Sequence, residues 1–335
     1  MCALVVHDYE QGAPVWESGA PGPSCGDAPP PGVAVVRVVA AGLNFFDVLM
    51  CRGKYQYRPA VPFVPGVEFA GVVEHVGAGS PIPVGARVFG SLPKAGAYAR
   101  RIAVPLQYLL PIPETLTFDE AAAFGMVYAT SHFALIDRGD LREGCRVLVL
   151  GAAGGIGLAS VQIAKAYGAT VIGVVDGDSK REAVLRAGAD AVVNYRTDRD
   201  WPKSAWRHLE EQGADLIVDT VGGSATTQAM KCIAWNGRLL VVGFTSGSIP
   251  SMPLNLPLLK QSSIVGVFWG AAIQKDRRVY ARTFNRLFAL LDEGKIRPVV
   301  SERFPVQQIG LALQRLMSRE TVGKIVLTFE PNSNL

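Results

Sequence analysis

Four glycines, Gly151, Gly154, Gly155 and Gly157, stand between the apolar run Val147–Leu150 and a second run, Leu158–Tyr167, with apolar residues at helical spacing. Glycines at such a junction let backbone N–H groups approach an anion closely, and a helix opening near Ile156 adds the positive end of its dipole. The chemistry implied is a main-chain cradle for a pyrophosphate, with no lysine required. Gly168 stops the helix and Thr170–Val175 supplies a second strand, so strand, glycine turn, helix and strand follow without a break. That order makes Gly151, Ala153, Gly154, Gly155, Ile156 and Gly157 the expected contacts of a dinucleotide.

A site of this kind selects its cofactor at the end of the second strand, where a carboxylate binds a ribose 2′-hydroxyl and a cation accepts a 2′-phosphate. Both charges are present, as Asp176 and Lys180. A unit charge at about 4 Å contributes roughly 1 kcal/mol in water and about 4 kcal/mol at intermediate dielectric, so counting charges leaves NAD and NADP both open.

The elements that must hold this turn read as an alternation of strand and helix from 121 to 270. Strands are expected at Val147, Val171, Ala191–Val193, Asp215–Asp219, Leu239–Val242 and Ile264–Phe268, the six that two mononucleotide-binding halves require. Residues 1–120 read instead as short β runs punctuated by Gly and Pro, at Val33–Ala40, Val67–Val76, Arg87–Gly90 and Tyr98–Val104, the pattern of a small antiparallel barrel. Gly19–Gly32, with five prolines, reads as a surface loop. An amphipathic helix at Val279–Glu293 and a strand-helix-strand close follow, and this tail is expected to rejoin the first domain. The domains are therefore 1–120 with 271–335, and 121–270.

Composition narrows the function classes. At 335 residues, 49% hydrophobic and 19% charged, the chain buries a large core and divides into two domains. Net charge is +4, with Lys and Arg scattered, which argues against a nucleic-acid surface. Val147–Ala164 lacks charge, but its glycines, Ser160 and Gln162 argue against a membrane helix, and no basic leader precedes a long apolar core. The chain reads as soluble and cytoplasmic. Five separated cysteines (Cys2, Cys25, Cys51, Cys145, Cys232) fit reduced thiols. With four histidines, none near a cysteine at ligand spacing, they assemble no zinc site, and no metal is expected.

Gly42-Leu43-Asn44-Phe45-Phe46-Asp47, Arg52-Gly53-Lys54-Tyr55 and Pro62–Val73, with the glycine turn, Asp219-Thr220-Val221-Gly222-Gly223 and Gly323-Lys324, resemble the medium-chain dehydrogenase/reductase superfamily. The resemblance is to its zinc-free quinone oxidoreductase, or ζ-crystallin-like, branch, and covers nearly the whole chain. It implies an α/β fold, a doubly wound six-stranded Rossmann domain beside a GroES-like β-barrel. The zinc-dependent members' cysteine and histidine places hold Asn44 to Phe46 and Val67 here, and the four-cysteine lobe loop is missing. Hydride transfer without metal polarisation suits a strongly electrophilic acceptor such as a quinone.

By the same resemblance Asn44 and Tyr55 line the substrate cleft and Asp47 supports them, whereas from spacing alone they also read as a turn and a packed ring. Thr130, Val221, Phe244, Phe268, Trp269 and Gly270 match segments around the nicotinamide half, and Lys324 a late basic residue near the cofactor phosphates. Lys180 and Tyr195 match residues around the 2′-phosphate, and alignment through Gly173 puts Asp176 one residue beyond the NAD-binding carboxylate, which favours NADPH over NADH.

The leading expectation is a zinc-independent NADPH:quinone oxidoreductase. Its rivals are an NADPH-dependent enoyl, 2-alkenal or enone reductase with Tyr55 as proton donor, and a low-turnover, crystallin-like NADPH-binding protein. The apolar strand Ile264–Trp269 at the sheet edge predicts a homodimer.

Overall fold

The computed structural model describes residues 2–10, 12–20 and 28–329, so Cys25 and half of the expected Gly19–Gly32 loop, residues 21–27, lie outside the described residues. The chain divides into two units, 1–126 with 298–335, and 127–297.

In the first unit a hairpin, β1 (Cys2–Val5) and β2 (Val15–Ser18), precedes β3 (Val33–Leu43), β4 (Glu68–Val76), β5 (Arg87–Ser91), β6 (Arg101–Pro105) and β7 (Leu109–Pro111). The β-branched run Val-Ala-Val-Val-Arg-Val-Val makes β3 the spine of the sheet: it pairs antiparallel with β4 and β6. The register sets Gly42 opposite Glu68, so the end of β3 and the start of β4 meet at one place. There the chain turns into the helix Phe45–Cys51, with Asn44 at its N-cap.

The second unit holds β8 (Arg146–Leu150), β9 (Thr170–Val175), β10 (Ala191–Asn194), β11 (Ala214–Asp219), β12 (Ile233–Val241) and β13 (Ser263–Gly266). All pair in parallel in the order β10-β9-β8-β11-β12-β13. This is a doubly wound sheet whose chain order reverses between β8 and β11, so their carboxyl ends open the crevice where such sheets take ligands. The six expected strands are the six observed. Helix Gly125–His132 runs on into a π-helical turn, Phe133–Arg138.

The chain leaves this unit later than expected, at 297 rather than 270. Trp269 is the reason: its ring packs on Phe133 at 5.8 Å, Tyr280 at 6.3 Å and Phe284 at 6.5 Å, which holds helix Arg277–Asp292 against the dinucleotide unit. Beyond it, β14 (Val300–Pro305) and β15 (Lys324–Thr328) pair in parallel, and β15 adds antiparallel to β3 with Ile325 opposite Leu43. Among the described residues no helix is long and apolar enough to cross a membrane.

Candidate functional site

The glycine turn leaves β8 at Gly151, which takes φ +67°, and enters helix Gly155–Ala166 with Gly154 at its N-cap. A Cβ on Gly157 would stand 2.2 Å from the carbonyl oxygen of Gly151 and 2.6 Å from the carbonyl carbon of Ala152. Only a residue without a side chain lets the first helical turn lie on the loop, and that leaves the helix's N-terminal N–H groups at the end of β8. Thr220 Oγ1 donates to Leu150 O at 3.0 Å and ties β11 to β8 beside the turn. Val221 and Gly222 N–H donate to Asp219 Oδ1, both at 2.9 Å, which fixes Val221 at the end of β11. Phe244 packs over Gly222, where a Cβ would meet its ring at 2.7 Å. Thr130 is buried in the helix that Ser131 joins to the glycine helix, its Oγ donating to Ile156 O at 3.1 Å. The structure thus gathers these expected cofactor residues around the carboxyl ends of β8 and β11.

The segment after β13 is less uniform. Phe268 is largely exposed, whereas Trp269, expected beside the nicotinamide, has its ring in the aromatic cluster that anchors helix Arg277–Asp292. Gly270 lies in the helix that Trp269 opens.

At the end of β9, Lys180 Nζ donates to Asp176 Oδ1 at 2.5 Å, and Arg196, a residue not anticipated from the sequence, reaches Asp176 Oδ2 at 3.6 Å. The carboxylate that would repel a 2′-phosphate is thereby held by two cations. Tyr195 follows β10 and its N–H donates to Val175 O at 3.0 Å, which places it beside the same strand end.

In the barrel unit Asn44 is buried and both ends of its amide are held. Nδ2 donates to Glu68 Oε1 at 2.8 Å, and Oδ1 accepts from Lys324 Nζ at 2.8 Å. The ammonium also donates to Glu68 Oε1 at 2.5 Å and to Leu43 O at 2.8 Å, so its three hydrogens are used inside the barrel. Lys324, expected near the cofactor phosphates, instead orients Asn44. Glu68 Oε2 accepts from Met126 N–H at 3.1 Å. Sequence reasoning passed over Glu68, although a lone carboxylate inside the apolar run Val67-Glu68-Phe69-Ala70 was the available signal.

Asp47 is fully buried. Its Oδ2 accepts from Asn44 N–H at 2.9 Å and from Tyr98 OH at 2.8 Å, while Oδ1 has no partner. Burial, only partly offset by these bonds, raises its pKa from 3.8 to about 7. The unfolded chain releases this proton near pH 4 and the folded protein near pH 7. Between these values the unfolded state binds fewer protons, and stability falls as pH rises by up to about 4 kcal/mol. Denaturant unfolding of Asp47→Asn beside the wild type at pH 5 and pH 8 tests this: the variant is expected to lack that fall, and parallel pH profiles would refute it. Tyr55, half-buried, stacks on Phe46 with centroids 5.4 Å apart. Burial, and secondarily Asp47, raises its phenol pKa, so the hydroxyl keeps its proton.

This geometry agrees with the comparisons. Residues 30–114 match the family described as Alcohol dehydrogenase GroES-like domain, and 155–287 match Zinc-binding dehydrogenase. The Quinone oxidoreductase-like protein 2 homolog of Nematostella vectensis is 38% identical over 302 residues, 88% of this chain and 82% of that protein. The chain belongs to the medium-chain dehydrogenase/reductase superfamily, in its quinone oxidoreductase branch. Among solved members of the superfamily, the quinone oxidoreductase of Thermus thermophilus, studied with NADPH, is 32% identical with a TM-score of 0.83, covering 98% of this chain and 100% of that one. The Escherichia coli quinone oxidoreductase in complex with NADPH is 26% identical with a TM-score of 0.88 over the same shares. Although one matched family is described as zinc-binding, no group of three or more His, Cys, Asp or Glu forms a metal site among the described residues.

Proposed function

We propose that the protein is an NADPH-dependent quinone reductase. The observation that carries this reading is the Asp176–Lys180–Arg196 cluster at the end of β9, where the lone carboxylate is held by two cations that suit a 2′-phosphate. The residues present fit the cofactor: Gly157 leaves room for the turn to lie under a pyrophosphate, and the end of the glycine helix supplies its N–H groups. When bound, NADPH supplies a hydride.

The chain's own residues supply position and charge. Lys180 and Arg196 would hold the 2′-phosphate end of the cofactor, and Thr130, Val221 and Phe244 would flank its nicotinamide end. Asn44, its amide fixed by Glu68 and Lys324, and Tyr55, a protonated phenol, offer hydrogen bonds to the oxygen on which negative charge develops. Asp47 braces the N-cap that presents Asn44. The test is oxidation of NADPH and NADH by the chelated protein with a small benzoquinone. Turnover that prefers NADPH, with the preference falling at least tenfold in Lys180→Ala/Arg196→Ala, supports the reading; a preference for NADH refutes it.

A second reading is reduction of a 2-enal or 2-enone with the half-buried Tyr55, stacked on Phe46, as proton donor. In that case Tyr55→Phe loses about a hundredfold in kcat on an enone, since positioned proton transfer contributes 10²-fold or more. An unchanged rate excludes Tyr55 as the donor.

We further propose a homodimer through β13. This edge strand is mostly exposed, and Ile264, Phe268, Leu254, Leu258 and Leu259 are 47 to 78% exposed. A second copy would cover this apolar face and pair the open edge. Sedimentation is expected to give a dimer for the wild type and a monomer for Leu258→Glu; a wild-type monomer at micromolar concentration overturns the proposal.

A further inference from the structure

Between the buried carboxylates Asp47 and Glu68 lie twenty residues, Val48–Val67, with three cations, Arg52, Lys54 and Arg58, and no acid. The two flanking acids are turned inward, Asp47 onto Tyr98 and Glu68 onto Lys324. The loop between them is held from below. Tyr9 OH donates to Pro59 O, the Arg58 guanidinium lies 4.5 Å from the centre of the Tyr9 ring, and Tyr9 packs on Phe63 at 6.1 Å. The Phe46–Tyr55 stack fixes its middle. Arg58 thus has an aromatic partner within the chain. Arg52 and Lys54 do not: both are exposed, and among the described residues neither side chain has a hydrogen bond or ion pair, although Asp8 and Glu10 flank Tyr9.

Arg52 and Lys54, exposed and without a side-chain hydrogen bond or ion pair among the described residues, stand three and one residues before Tyr55 on a braced loop, where exposed positive charge can attract an anion. We infer that Arg52 and Lys54 receive an anionic substituent of the acceptor, a carboxylate, sulfonate or phosphate, so that the enzyme favours acceptors carrying negative charge beside the reducible group. The inference rests on the reading of Tyr55 as substrate-facing, and it deepens that reading by naming the acceptor's charge. Its rival is structural: both residues follow the last turn of helix Phe45–Cys51, where cations complement the dipole.

The experiment measures binding to the NADP⁺ complex, in which no hydride can move, so its outcome is separate from whether quinones are turned over. A benzoquinone, its sulfonated form and benzenesulfonate are titrated calorimetrically against the wild type and Arg52→Gln/Lys54→Gln. The sulfonated quinone is expected to bind about tenfold tighter than the neutral one, equivalent to about 1.4 kcal/mol. Because the cations are exposed, this advantage shrinks as salt rises from 0.01 to 0.15 M, and it disappears in the double variant. Equal affinities for the two quinones in the wild type overturn the inference, as does benzenesulfonate binding as tightly as the sulfonated quinone, which would mark a site for any anion. A purely structural role would move the unfolding midpoint of the double variant and leave the affinity ratio unchanged, which also overturns it. Separately, wild type that binds the sulfonated quinone tighter yet oxidises no NADPH would count against the quinone reductase reading and leave anion recognition standing.

Discussion

Lys324→Met lowers the stability of the barrel unit by about 3 to 5 kcal/mol, the loss typical when one partner of a buried ion pair is removed. Methionine matches the length of the lysine stem but leaves Glu68, 1% exposed, as a carboxylate whose remaining donors are Asn44 Nδ2 and Met126 N–H. Leu43 O and Asn44 Oδ1 lose their donor in the same step. Most of the loss is the burden of a stranded charge, so Lys324→Met/Glu68→Gln is expected to regain much of it, and guanidinium unfolding of both variants measures this. A single variant within about 1 kcal/mol of the wild type would show that Glu68 finds another way to be satisfied. The single variant should also lose activity beyond its loss of folded protein, because the Asn44 amide is then held at Nδ2 alone.

Gly157→Ala is expected to weaken NADPH binding by about a hundredfold, the size of effect that follows an ångström of misplacement in a positioned site. Its Cβ would meet main chain, Gly151 O at 2.2 Å and Ala152 C at 2.6 Å, and main chain yields only by moving the helix off the turn. The sign is informative. Alanine in place of glycine within a helix ordinarily stabilises by up to about 1 kcal/mol. Gly310→Ala, in helix Ile309–Met317 with nothing within 4 Å of the added carbon, should show that gain. Thermal unfolding of both variants, with fluorescence titration by NADPH, separates the cases; undiminished cofactor affinity in Gly157→Ala would exclude the turn as the phosphate site.

What was legible in the sequence was local. The apolar runs of β8 to β13 alternate with helices, and each carries its own period and its own stop, so the doubly wound sheet could be read element by element. The glycine turn was legible for the same reason, since Gly151 and Gly157 act on neighbours within a few residues. The Asn44 cluster was not, because Lys324 reaches Glu68 across 256 positions and nothing near either residue announces the other. The late departure from the dinucleotide unit was hidden in a similar way, in the packing of Trp269 on Tyr280 and Phe284. The π-helical turn at Phe133–Arg138 left no mark in residue type, being a choice of hydrogen-bond partner within an otherwise helical stretch.

The return of β15 to β3 sets an order of events during synthesis. The dinucleotide unit, 127–297, is contiguous, and all its strands have left the ribosome before Lys324 exists. The barrel unit, begun first, is finished last: Asn44 waits 280 residues for the ammonium that orients it. A chain released after 298 to 323 residues would therefore have a complete cofactor-binding unit and an unclosed barrel whose Glu68 lacks Lys324. Such a chain could hold a dinucleotide without the organised Asn44 site, and competence for catalysis would come only with the last strand.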